Sequence, residues 1–315
     1  MRELKTVLVL TLTLIGLFVG PLISAQEQKI GLTISPLTFE LTANPGDTLE
    51  NKIKVSNPTD STMSVKMEAE DFTASGELGQ VIVEETENIT YSLKRWVKTN
   101  PIEFTLKPDE SKFVTFVINV PKNAEPGGKY GSVLASITGI EGPKVSGATI
   151  IQKVGALVLL SVSGKIKEEI NVKEFSAPKF SEYGPINFII RFENTGTVHV
   201  RPRGFVTITN IFGKKVVDVE FPQQNVIPGA IRRVEAKWNR FWIWGGRYQA
   251  NLVGSYGSEN TPISAVTTFW VIPWKVYLGI VIALALIIYL IVRARKKIKK
   301  AEEIIKKHEE EKKVK

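Results

Sequence analysis

The sequence predicts an all-β protein, with two immunoglobulin-like β-sandwich domains followed by a single transmembrane α-helix. Three observations lead there. Short runs rich in β-branched and aromatic residues recur between turns built from Pro, Gly, Asn and Asp. No long helical pattern interrupts them before Val276. Val276 to Val292 is then an apolar stretch relieved only by Gly279 and Tyr289, and a dense basic block follows at once.

The N-terminus reads as a secretion signal over residues 1–25. Arg2 and Lys5 precede an apolar run from Val7 to Val19, and Ile23-Ser24-Ala25 offers a small residue for cleavage before Gln26. Ile23 is an unusual residue at its position, so an uncleaved anchor is the alternative. Residues 26–164 form the first predicted sandwich. Leu49–Ser56 and Lys112–Val120 alternate apolar and polar residues, and Met63–Ala69 and Gly131–Thr138 are rich in β-formers. Asn44-Pro45-Gly46-Asp47, Asn57-Pro58-Thr59-Asp60, Lys107-Pro108-Asp109-Glu110 and Pro126-Gly127-Gly128 mark the turns. Trp96 is expected to plug this core.

A boundary is expected near Ser163-Gly164-Lys165. The second sandwich, residues 165–272, then carries runs at Ile186–Phe192, Gly204–Thr209, Lys215–Glu220, Arg232–Trp238, Arg247–Gly254 and Ala265–Val271. The span is placed at 273–292, long enough to approach the ~20 residues a bilayer requires. Trp270, Trp274 and Tyr277 form its outer interface belt. Arg293, Arg295, Lys296, Lys297, Lys299 and Lys300 are the stop-transfer cations, which keep the tail, residues 293–315, in the cytoplasm.

Charge narrows the partners. The chain has 315 residues and a formal net charge of +9. From Gln26 to Pro273 there are 27 basic and 26 acidic residues, whereas the last 23 residues hold 11 and 5. The excess therefore reports the tail, and nucleic acid is not an expected partner of the ectodomain. The two sandwiches differ, with 13 basic and 17 acidic residues in the first and 14 and 9 in the second (to Pro273). There are no cysteines, so neither disulfides nor thiolate chemistry is available.

Several segments of the first sandwich carry a resemblance. Ile34-Ser35-Pro36 precedes a Pro-Gly-Asp turn and then Asn57-Pro58. Trp96-Val97 comes before Leu106-Lys107-Pro108-Asp109-Glu110-Ser111, and Val120-Pro121 opens a run that closes on Gly127-Gly128-Lys129-Tyr130-Gly131. This is similar to the peptidoglycan-binding domain of the WxL-interacting protein family of bacterial surfaces. Glu193-Asn194-Thr195-Gly196-Thr197-Val198-His199-Val200 resembles that family's second, host-binding domain more weakly. The resemblance implies a non-catalytic protein that binds cell-wall peptidoglycan and other surface proteins.

No catalytic constellation is legible. Only His199 and His308 exist, and His308 falls in the tail. His199 has no GxSxG partner motif and is expected to be structural or at the surface. HExxH, calcium loops and phosphate-cradling Gly loops are absent, so no metal or cofactor site is expected. Glu68 and Glu70 would share a strand face about 7 Å apart, with Asp71 beside them. A solvated sheet face explains them better than glycoside hydrolysis does. Asn88-Ile89-Thr90 matches a glycosylation acceptor.

One cluster calls for a function. Trp238-Asn239-Arg240-Phe241-Trp242-Ile243-Trp244-Gly245-Gly246-Arg247-Tyr248 holds five aromatics in eleven residues. Trp238 and Tyr248 fit core positions on the flanking strands. Phe241, Trp242 and Trp244 lie near the turn, where a ring needs a cover. They fold into the base of the domain, dip into the membrane interface, or stack on a glycan or partner protein; Arg240 and Arg247 would meet lipid phosphate in the second case. The expected partners are thus membrane lipid and either cell-wall polymer or another surface protein. The leading expectation is a membrane-anchored surface binding protein with its ectodomain outside the cell. The alternative is a membrane-tethered assembly chaperone acting by β-strand addition, through an edge strand near Ile34–Leu41.

Overall fold

The computed structural model describes residues 31–83, 89–141 and 152–313. The secretion signal and the acceptor Asn88 lie outside the described residues.

The first sandwich has ten strands: β1 (Thr33–Ser35), β2 (Thr38–Ala43), β3 (Thr48–Ser56), β4 (Thr62–Ser75), β5 (Gln80–Val83), β6 (Val97–Asn100), β7 (Glu103–Leu106), β8 (Ser111–Asn119), β9 (Gly127–Glu141) and β10 (Lys153–Val162). One sheet runs β1-β3-β8-β6. The other runs β2-β10-β9-β4, with β5 and β7 both paired to β4. Alternation dictates the core. Ile53, Val55, Val114, Phe116 and Ile118 face Val65, Met67, Val133, Ala135, Val158 and Leu160 across the two sheets, and all are buried.

Every pairing between these ten strands is antiparallel except β2 with β10. The first strand divides, with β1 on one sheet and β2 on the other, and Pro36 stands at the crossing. Proline has no ladder N–H to lose there. Trp96 packs against this core without being fully enclosed by it. It sits half-buried at a 3-10 turn, Lys94–Trp96, while Leu93 takes the fully buried place. Asp71 fixes that turn by accepting the amides of Leu93 (2.9 Å) and Lys94 (2.8 Å).

The second sandwich comprises β11 (Ile170–Ser176), β12 (Phe180–Ser181), β13 (Ile186–Asn194), β14 (Arg203–Asn210), β15 (Lys215–Glu220), β16 (Ile231–Trp238), β17 (Gly246–Tyr256) and β18 (Thr261–Val271). Its sheets run β11-β13-β16 and β12-β18-β17-β14-β15. The design of the first sandwich recurs. The opening strand divides into β11 and β12, and β12 pairs in parallel with the last strand, β18. In each sandwich an asparagine at or just beyond the end of the next strand is wholly buried, Asn57 in one and Asn194 in the other.

The final element is α1 (Trp274–Lys313). Its segment Trp274–Lys300 has mean hydropathy 2.6 over its most apolar window and no burial against the rest of the chain. It is the one helix among the described residues long and apolar enough to cross a membrane. Nineteen residues from Trp274 to Val292 span about 28 Å at 1.5 Å each, close to the hydrocarbon thickness of a bilayer.

Candidate functional site

Two regions hold the features that a function would need. The first is a groove where the sandwiches meet. Strand β4 is long, and its hairpin with β5 folds back beside the outer faces of β9 and β10. The hairpin also reaches the second sandwich. Glu77 O accepts the Arg233 amide (2.8 Å), and the Glu77 carboxylate takes the Arg191 guanidinium with two hydrogen bonds, one of 2.8 Å from Nε. That ion pair lowers the Glu77 carboxyl below its usual range. Gly79 has φ +83, a backbone conformation that side-chain-bearing residues rarely adopt, and it lies against the Arg232 guanidinium.

Further contacts join the sandwiches near β9. Gly128 N donates to Thr197 O (2.8 Å), and Glu40 accepts Asn225 Nδ2 (2.7 Å) and the Arg201 guanidinium. The Tyr130 hydroxyl lies 3.4 Å from His199 Nδ1. Burial raises the phenol and lowers the imidazole, so a protonated phenol faces a neutral ring to which it can donate.

Between the hairpin, the outer face of β10 and the 224–232 segment lie three adjoining cavities of about 200, 330 and 470 Å³. The first two share Phe72, Ala74, Ile227 and Ala230; the first and third share Val81 and Leu157. The groove is mostly apolar. Arg232 lines one end, and Glu70 and Lys153 line the other. From Lys153 to Leu159 it follows β10 for about 20 Å, the length of six extended residues.

The second region is the end of the second sandwich next to α1. Here the structure gathers the residues that the sequence singled out. Trp238 and Tyr248 are buried and meet edge to face at 5.9 Å between centroids. Phe241, Trp242 and Trp244 stay exposed, the first and last at 69% and 74%. The residue that enters the core from this loop is Ile243, which the sequence reading passed over. Arg247 pairs with Trp270 across β17–β18, and Arg240 lies in the loop itself. Trp270, near the end of β18, and Trp274 and Tyr277, in the first turn of α1, are exposed. Arg293, Arg295, Lys296, Lys297, Lys299 and Lys300 are exposed on its later turns.

Other residues join this end that the sequence did not flag. Phe180 stands opposite Trp270 in the β12–β18 pairing. Tyr183 contacts Phe241 at 4.9 Å between ring centroids. Lys275 Nζ bonds Glu182 at 3.0 Å, which ties the loop after β12 to the first turn of the helix.

The paired carboxylates take on a structural role. Glu68 is bridged by Lys66 and Lys153 and held below the usual carboxyl range, first by its hydrogen bond from Lys66. Glu70 bonds Lys94 at 2.7 Å. Among the described residues no three His, Asp or Glu side chains are grouped to hold a metal ion.

No protein-family model matches the chain, and no curated protein matches it. Solved structures do. The class 5 fimbriae chaperone CfaA matches with a TM-score of 0.38 and 11% identity over 76% of this chain and 99% of that one. The Pseudomonas aeruginosa CupB2 chaperone gives 0.34 and 9%, over 74% and 98%. A PapD-like domain of human CEP192 gives 0.31 and 12%, over 46% and 95%.

Proposed function

We propose that this chain is a non-catalytic, single-pass membrane protein whose groove along β10 holds an extended apolar segment of another surface protein. The observation that carries this reading is the groove itself. Leu157, Val81, Phe72 and Ile227 line a cleft between two domains, where ligand sites concentrate. Its length suits a peptide strand, and its charged ends would fix register. The apolar length of α1 and the six cations after it support an ectodomain outside the cell and a tail in the cytoplasm. Peptidoglycan, implied by the resemblance to WxL-interacting proteins, is the competing ligand.

The test is capture by the full chain in detergent, offered purified wall polymer and a membrane-surface protein extract in separate arms. Leu157→Arg places a charge in the groove. Loss of protein capture in Leu157→Arg, with its melting temperature kept, supports the reading. Wall retention that the substitution leaves unchanged, without protein capture, contradicts it.

The edge of β2 favours a second reading, strand addition. Leu157 N donates to Leu37 O and Ser163 N to Ala43 O, which turns the odd-numbered backbone groups toward β10. Thr38, Glu40 and Thr42 therefore present theirs to the open side. Thr42→Pro removes only an outward amide. Capture abolished by Thr42→Pro but not by Leu157→Arg would select strand addition.

A further inference from the structure

The sheet register makes one end of the second sandwich unlike the other. Asn210 pairs with Tyr248, Tyr248 with Phe269, and Gly246 with Val271, three residues before α1 begins. The β14–β15 turn therefore projects from the same end as the helix. At its tip Phe212 is 84% exposed, and Ile211 beside it is also exposed. Asn210 Oδ1 accepts the amides of Phe212 and Lys214, each at 3.0 Å, so the tip is held in place with its apolar pair outward. The end of β12, with Phe180, the loop after it, with Tyr183, and the β16–β17 loop lie at the same end. At the opposite end lie the 195–202, 221–230 and 257–260 connections. Among the described residues these expose no large hydrophobic side chain.

We propose that this apolar end is a footing that lies in the outer interface of the lipid bilayer. Continuity with the helix identifies the occupant. A Cβ on Gly245 would come within 2.0 Å of Tyr277 Oη, so the β16–β17 loop sits beside the first turn of α1. With Tyr277 at the interface, Trp244 shares its depth. The Lys275–Glu182 bond brings the Phe180–Tyr183 loop to that same level. Rings with one polar edge are stable at this depth, and Lys179, Lys214, Arg240 and Arg247 stand among them to meet lipid phosphate.

The β14–β15 tip lies about 12 Å to the side of β18, counting strand spacings in the sheet. Helix and tip thus give two separated points of contact. Two points resist tilting, where a helix alone acts as a pivot. The footing holds the sandwich upright and carries the groove away from the membrane surface. It does not depend on what the groove binds.

The chain has no cysteine, so single cysteines can be introduced and labelled with an environment-sensitive fluorophore. Phe212→Cys reports the tip and Glu259→Cys the far end. The full chain is reconstituted into vesicles of phosphatidylcholine and phosphatidylglycerol, with or without lipid bearing a doxyl quencher near the headgroup. The footing predicts that the Phe212 label loses most of its emission to the doxyl lipid and little to aqueous iodide. The Glu259 label should show the reverse. Iodide quenching equal at both sites would overturn the proposal. So would a Phe212 label shielded from both quenchers, which would mean that protein covers this end. Phe241→Cys carries the same measurement if Phe212→Cys fails to fold.

Discussion

Removing the side chain of Asn194 should unfasten the surface on which the first sandwich rests. Asn194 is wholly buried, and its Nδ2 donates to Val198 O (2.9 Å) and Val226 O (2.7 Å). Its Oδ1 accepts Gly196 N (2.8 Å). The amide thus folds the Thr195–Val200 connection, whose Thr197 O receives Gly128 from the first sandwich. Asn194→Ala loses three hydrogen bonds at about 1 kcal/mol each. Val226 O keeps the Val200 amide (3.1 Å), so the orphaned groups are Val198 O and Gly196 N. A destabilisation of about 3 kcal/mol follows, or about 12–24 °C in melting temperature for a sandwich of about a hundred residues. Asn194→Asp should be worse at neutral pH, because a carboxylate would face two carbonyl oxygens. Its penalty should shrink in acid as the group protonates and can donate again. The assay is thermal and urea unfolding of the full chain in detergent, followed by tryptophan emission, to which buried Trp238 contributes. Both variants lying within about 0.5 kcal/mol of the parent, inside the usual range for a surface substitution, would refute the reasoning.

The same logic applies to Asn57, whose Nδ2 donates to Ser61 O, Leu106 O and Lys107 O and whose Oδ1 accepts Thr59 N. Asn57→Ala should cost about 3 kcal/mol in urea unfolding, with loss confined to the first sandwich. His199 predicts an acid sensitivity. Burial holds its imidazole below the ordinary 6.5, against the pull of Glu40 and Glu168 and with the push of Arg201. The unfolded chain then binds the proton more readily, so this stability is complete above about pH 6.5 and lost as pH falls below it. Melting temperature should drop from pH 7.5 to 5.5, and His199→Gln should flatten that part of the curve. Gly127 has φ +128, and a Cβ there would sit 2.9 Å from Thr197 O. Gly127→Ala should loosen the two sandwiches, seen as a larger radius of gyration by X-ray scattering and faster proteolysis near Ser163–Lys165.

The all-β class was legible because single-faced strands write their burial into the sequence. β3 and β8 alternate, and their expected ranges fall within a residue of the observed ones. β10 was missed for the opposite reason. Leu157-Val158-Leu159-Leu160 is apolar on both sides, since the β4–β5 hairpin and Ile227 shelter its outer face. Nothing in the chain's local pattern announces that shelter, so the groove was invisible too. The divided strands β1/β2 and β11/β12 are short, and their two halves serve different sheets, which breaks any alternation. The aromatic loop was legible as a density of rings. Its burial was not: Ile243 enters the core and the rings stay out. The apolar Ile211-Phe212 pair between the Gly204–Thr209 and Lys215–Glu220 runs was the unused signal. Only the register, Asn210 to Tyr248 to Phe269, places that pair at the helix end.

The most direct test of the proposed binding role is photo-cross-linking in living cells, with benzoylphenylalanine in place of Val83 at the open rim of the groove. Asp109, at a turn of the first sandwich that does not line the groove, serves as the control position. The groove reading predicts a discrete adduct with one surface protein at Val83, none at Asp109, and loss of the adduct when Leu157→Arg is added. No adduct at Val83, or an adduct that Leu157→Arg leaves unchanged, would contradict it.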